Sequence, residues 1–275
     1  MLRRTICPAL AVLIAAAVVA VTIGTAAGGE RPAGAYAGPP YDFTTELMGK
    51  PGTAEPLKNT AVIDKTKHGY QFRSGQQNSH LLVTLVNGGL RFADTGTESF
   101  KSLSAACRRK TPTRGVAAVC RVPTTHSKRS PLLVEVWPRL GNDYTDAATL
   151  PPAFAVTMLG DKGKDEAHFG AGPDFFNGFT GNDAVRGGAG NDWIRVGAGD
   201  DTVRSGRGND DVVAKEGRDS IRGGNGRDRL WAGDGNDRLR GDDGADYLLC
   251  GNGRDKAKTH AADRAITDCE SVKRH

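Results

Sequence analysis

Beyond Ile23 the chain has no apolar run long enough to cross a bilayer, so neither a pore-former nor a membrane span is expected there. It has no HExxH and no GxSxG, the signatures of zinc proteases and of serine hydrolases. It has no CxxC pair, and its six histidines are scattered at 68, 80, 126, 168, 260 and 275, which argues against zinc. His68 and His80 read as exposed polar residues. Only 38% of residues are hydrophobic, while Gly fills 37 positions. That is too much Gly for an ordinary globular core, and it does not recur at every third position as in collagen. No enzyme is expected; a small secreted hydrolase with a repeat tail stands as an alternative.

The start reads as a secretory signal at 1–27. Arg3 and Arg4 precede an apolar run from Ala9 to Ile23, and Thr25-Ala26-Ala27 offers a cleavage site. A retained anchor is the alternative. Residues 28–57, rich in Gly, Pro and Ala, read as a flexible leader. Cys7 leaves with the signal, and Cys107, Cys120, Cys250 and Cys269 remain. An even count in an exported chain suggests two disulfides. Three pairings are possible, and nearness favours Cys107–Cys120 and Cys250–Cys269. The mature chain is expected to be extracellular, monomeric and free of a membrane span.

The formal charge of +5 hides two parts of opposite sign, because residues 160–258 hold 16 Lys/Arg against 19 Asp/Glu. The region ahead of them is basic. Within 99–134, Lys101, Arg108, Arg109, Lys110, Arg114, Arg121, Lys128 and Arg129 occur without an acid. This run reads as a solvated face, with contact to an anionic cell-surface polymer as the alternative. No aromatics interleave with it, so nucleic acid is not expected as a partner.

Short β-prone runs separated by turn residues fill 58–158, which reads as an N-terminal β cap. From Gly160 to Lys258 the chain divides into eleven nonapeptides without an insertion. Position four is Gly in all eleven and position six is Asp in all eleven: Asp165, Asp174, Asp183, Asp192, Asp201, Asp210, Asp219, Asp228, Asp237, Asp246 and Asp255. Position eight is apolar throughout, from Ala167 to Ala257. Residues 259–275 break the period and read as a short C-terminal cap.

Three residues around position eight make a short strand, with that side chain facing inward. Six residues are left for a turn, and Gly at positions two and four permits the positive φ that the turn demands. Such turns aim backbone carbonyls at one point, and Asp at position six adds a carboxylate. Carbonyl plus carboxylate oxygens suit Ca²⁺, and no soft ligand recurs for zinc or copper. Two units make one 18-residue coil. One edge then stacks Asp165, Asp183, Asp201, Asp219, Asp237 and Asp255, and the other stacks Asp174, Asp192, Asp210, Asp228 and Asp246. Carboxylates roughly 5 Å apart repel by roughly 3 kcal/mol at an effective dielectric of about 20. Several Ca²⁺ ions between turns would neutralise each row, and the segment is expected to be loose without them. Turn capping by the aspartates alone is the alternative.

These units resemble the hemolysin-type calcium-binding (RTX) nonapeptide repeat, GGxGxDxUx. GGAGNDWIR at 187–195 and GGNGRDRLW at 223–231 match it throughout. The resemblance implies an all-β fold, a right-handed parallel β-roll over 159–258. It also implies Ca²⁺ held by the position-six carboxylates and by turn carbonyls near Gly188, Gly190, Gly224 and Gly226. Departures at position two are Asp161, Phe179, Lys215 and Asp242. Lys215 puts a cation where Gly is expected and weakens the expectation for its neighbours. The edge from Asp174 to Asp246 keeps Gly at position two in four of its five units, and is the better candidate.

Overall fold

The computed structural model describes residues 59–75, 78–87, 89–266 and 269–274. The expected signal and leader, with Cys7, lie outside the described residues. Among those described there is no helix long and apolar enough to cross a membrane, and every regular element is a strand.

The strands form two sheets. From Leu132–Trp137 onward, successive strands alternate between them, and each pairs in parallel with the strand one coil earlier and one coil later. The register step is one coil. Val185 pairs with Val203, Ile221, Leu239 and Ala257 in turn, and Ile194 with Val212, Leu230 and Leu248. This is the parallel β-solenoid that the nonapeptide period implies.

Every position-eight side chain is buried, as expected. The expected three-residue strand is too short, however. The strands at Ser220–Gly226, Arg229–Gly235, Arg238–Gly244 and Tyr247–Gly253 each have seven residues. They run from position seven into the next unit's turn. Alternation along the strand then turns position one inward as well. Phe169, Val196, Ala214, Ala232 and Cys250 are buried there, so about half of the units contribute two core side chains. Gly, Ser and Ala at position one conceal this in the sequence.

The N-terminal region continues the same two sheets. Gly69–Arg73 pairs in parallel with Leu132–Trp137, and His80–Val86 with Tyr144–Asp146. Antiparallel partners lie outside these, Thr60–Lys65 on one sheet and Gly89–Asp94 on the other. Tyr70, Phe72 and Phe92 fill the core here, with Phe72 and Phe92 stacked at 6.2 Å. His68 lies in the turn before Gly69–Arg73, His80 begins a strand of the other sheet, and both are exposed. The outermost strands are Ser99–Leu103 and Cys107–Lys110. They carry Lys101, Arg108, Arg109 and Lys110, all exposed, and charge on an edge strand deters pairing with another chain.

Both favoured disulfides are present. Cys107–Cys120 joins cross-strand partners at one end, and Cys250–Cys269 ties the last repeat to the segment beyond it. That segment adds one more coil, because Arg264–Ile266 pairs with the strand at Tyr247 and Ser271–Arg274 with the strand at Lys256.

Candidate metal centre

The turns explain the invariant Gly at position four. Gly226 has φ +139°, and a Cβ there would stand 1.7 Å from the Gly208 carbonyl oxygen one coil back. No side chain fits, so the coils stack backbone on backbone. Position two adopts the same kind of geometry even without Gly. Lys215 has φ 112°, between Gly197 at 111° and Gly233 at 113° on the neighbouring coils. Phe179 and Asp242 also have positive φ. Asp242 is buried and ion-paired to Arg222 and Arg240.

The eleven position-six aspartates are all buried, and they form the two expected rows. In each row the backbone N–H of one Asp donates to Oδ1 of the Asp one coil on. The bonds Asp174 to Asp192, Asp192 to Asp210, Asp210 to Asp228 and Asp228 to Asp246 are all 2.9 Å. On the other edge, Asp165 to Asp183, Asp201 to Asp219, Asp219 to Asp237 and Asp237 to Asp255 are 2.8 Å, and Asp183 to Asp201 is 2.7 Å. One oxygen of every carboxylate therefore caps a turn.

The other oxygen does not. Oδ2 of all eleven is buried with no hydrogen-bond partner. A buried acceptor left unmatched is costly, and more so when it is charged. Where position one is Gly, this oxygen points at it, as at Gly160, Gly178, Gly187, Gly223 and Gly241. At Gly187, the place where a Cβ would stand is 2.4 Å from Asp192 Oδ2 and 2.4 Å from the Ser205 carbonyl oxygen. At Gly223 the corresponding distances are 2.4 Å to Asp228 Oδ2 and 2.8 Å to the Gly241 carbonyl. At Gly178 they are 2.0 Å to Asp183 Oδ2 and 2.6 Å to the Val196 carbonyl. These are cradles lined by one carboxylate and one carbonyl oxygen, the donor set of a hard cation. Gly241 faces Asp246 Oδ2 at 2.3 Å. Two of the cradles with both oxygens, at Gly187 and Gly223, lie on the Asp174 to Asp246 edge.

The carbonyls beside the free oxygens come from position one of the next coil. The expected Gly188, Gly190 and Gly226 carbonyls face the turn glycines of the next coil, 2.1, 1.6 and 1.5 Å from where a Cβ would be. Gly224 sits at φ +123° against the Gly206 carbonyl. All four hold the turns in close stacking.

Burial dominates the proton affinity of the rows. It pushes Asp201 and Asp228 up to about 8, Asp183 to about 7, and Asp165, Asp210, Asp219 and Asp246 to about 6. Asp174 and Asp192 are raised well above the usual carboxylate range, again by burial, and for Asp192 also by Asp174 and Asp210. Neighbouring acids raise most of the others further, while the backbone N–H caps oppose the shift. Without a counter-charge Asp201 and Asp228 hold protons at neutrality.

The rows extend past the repeat in both directions. Asp143 N–H donates to Asp165 Oδ1 at 3.0 Å, and Asp143 Oδ1 accepts from Ser79 N–H at 2.6 Å. Asp143 is buried, its Oδ2 is unpartnered, and burial pushes its carboxyl up to about 8. It closes Gly141-Asn142-Asp143, which spells positions four to six of a further unit; Gly141 has φ 147°. At the other end Asp246 N–H donates to Asp263 Oδ1 at 3.0 Å. A second ladder runs outside the aspartates at position five. Oδ1 of Asn182, Asn191, Asp200, Asn209 and Asn236 each accepts the position-five N–H of the next coil at 2.8–3.0 Å. Asn or Asp recurring at that position was its only sequence signal.

A family model of the RTX calcium-binding nonapeptide repeat, in four copies, matches residues 177–212 and 213–256. No curated protein and no solved structure matches the chain.

Proposed function

We propose, for this roll of RTX calcium-binding repeats, that the chain is an exported, non-enzymatic protein whose aspartate rows bind several Ca²⁺ ions, and that binding stabilises the roll and drives its folding. The observation that carries this reading is the row of buried, unpartnered Asp Oδ2 atoms, three of which on the better edge stand beside a Gly at position one. Asp192, Asp228 and Asp246, with the position-one carbonyls of Ser205 and Gly241, would hold the ions there. A bound divalent cation supplies the positive charge that lets stacked carboxylates remain ionised. The residues themselves do two things: Oδ1 fixes the preceding turn, and Oδ2 is kept dry and aimed inward. Export is supported by the signal-like start and by two disulfides, which persist in oxidising compartments.

The test is circular dichroism and thermal melting of the mature chain in chelator and in millimolar calcium, with the bound ions counted by calorimetric titration. The expected result is loss of β signal or a large drop in melting temperature in chelator. Identical spectra and melting curves in both would overturn the proposal.

A further inference from the structure

The outer faces of the two sheets differ in a way that the aspartate rows do not explain. On one sheet, position nine of every second unit lies in register across adjacent strands. It reads Arg186, Arg204, Arg222, Arg240, Lys258, and then Lys273 in the added coil. Arg238 and Lys256 pair on the parallel column at position seven. From Ala184 to the last strand, the two outward columns hold eight cations and no acid. The corresponding columns of the other sheet are mixed, with Asn177, Arg195, Val213, Trp231 and Leu249 at position nine.

Neighbouring strands lie about 4.8 Å apart. Two cations at that separation repel by roughly 1 kcal/mol even in water. One buried acid, Asp242, bridges Arg222 and Arg240, and Arg186 and Arg204 are exposed beside Ala184 and Thr202. The other sheet folds with Asn177, Val213, Trp231 and Leu249 at position nine, so the solenoid does not require an unbroken row of cations there. A flat row of cations at a fixed short repeat complements a linear polymer with one anion per similar repeat.

We propose that this face binds a linear acidic polysaccharide carrying one carboxylate per sugar ring. The Thr202 and Ser220 hydroxyls, in the adjoining column, suit the sugar hydroxyls between carboxylates. The eight cations have no aromatic among them in these columns, whereas single-stranded nucleic acid binding relies on base stacking. The surface is distinct from the basic run at 99–134, part of which lies on the outermost strands. The inference needs only the folded roll, so it is tested with calcium saturating and the fold verified by circular dichroism.

The full mature chain would be titrated with soluble oligogalacturonate, with its methyl-esterified form, and with poly(dT). Three proteins are compared: the parent, Arg186→Ser/Arg204→Ser, and Arg108→Ala/Arg109→Ala/Lys110→Ala. Binding of the acidic oligosaccharide alone is expected, weakened about tenfold or more by the first variant and little changed by the second. Equal loss in both variants, no loss in the first, tighter binding of poly(dT), or no binding by the folded parent would overturn the proposal.

Discussion

The backbone N–H of Asp192 donates to Oδ1 of Asp210, one coil on, at 2.9 Å, while Oδ2 of Asp210 has no protein partner. One oxygen of this carboxylate thus caps a turn, and the other is left for the proposed cation. Capping alone does not require a charge, because Asn performs it at position five of the same turns. The difference between Asp and Asn separates the two tasks experimentally.

Asp228→Asn keeps an oxygen for the Asp210 N–H, now bonded at 2.9 Å, and presents its amide to the Gly241 carbonyl. It removes repulsion from Asp210 and Asp246. In chelator the variant is expected to be more stable than the parent, by about 1–3 kcal/mol. In calcium it is expected to be less stable and to bind fewer ions. Melting curves in both conditions check this crossing; a variant equal to the parent in both would assign Asp228 to capping only.

Gly223→Ala and Gly226→Ala are expected to differ in kind. A Cβ at Gly223 enters the cradle beside Asp228 Oδ2, yet Ala232 occupies the same position in the next unit without disturbing the fold. The fold should survive with weaker calcium binding. A Cβ at Gly226 strikes the Gly208 backbone at positive φ, which should cost about 3 kcal/mol or more. Calcium titration and denaturant melts, run together, distinguish the two effects.

The pH dependence follows from the raised carboxyls. The folded roll binds protons that the unfolded chain releases at ordinary carboxylate pKa values. That stability is present in acid and is lost as pH rises through the folded values, from about 6 at Asp210 and Asp219 to about 8 at Asp201 and Asp228. In chelator the melting temperature should therefore fall between pH 5 and pH 8. Calcium competes with those protons and should flatten or reverse the slope. A melting temperature indifferent to pH in chelator would contradict the burial of ionisable oxygens.

Lys215→Gly tests the strained turn. Lys215 holds a glycine-like φ of 112° between two glycines, a geometry worth about 1–3 kcal/mol of strain. The substitution should stabilise the roll by about 1 kcal/mol, since added chain entropy in the unfolded state offsets part of the relief. The denaturation midpoint in calcium reports it. An unchanged or lower midpoint would mean that the lysine side chain compensates.

The nine-residue period, the aspartate rows, the inward position eight and the disulfide partners were legible because each depends on local spacing. Gly141-Asn142-Asp143 was concealed because residues 147–159 interrupt the period, and because polar Thr145 stands where an apolar residue marks the other units. Position one was concealed by Gly, Ser and Ala, which reveal no facing direction.

The repeat, and with it the coil, can be read from the order of amino acids, because Gly at position four and Asp at position six constrain how the backbone turns. Which oxygen of each carboxylate is bonded, which carbonyls stand near the free one, and which cations share a face emerge once the coils stack. Those relations join residues a full coil apart, brought side by side by strand pairing, and no local pattern encodes which atoms then meet.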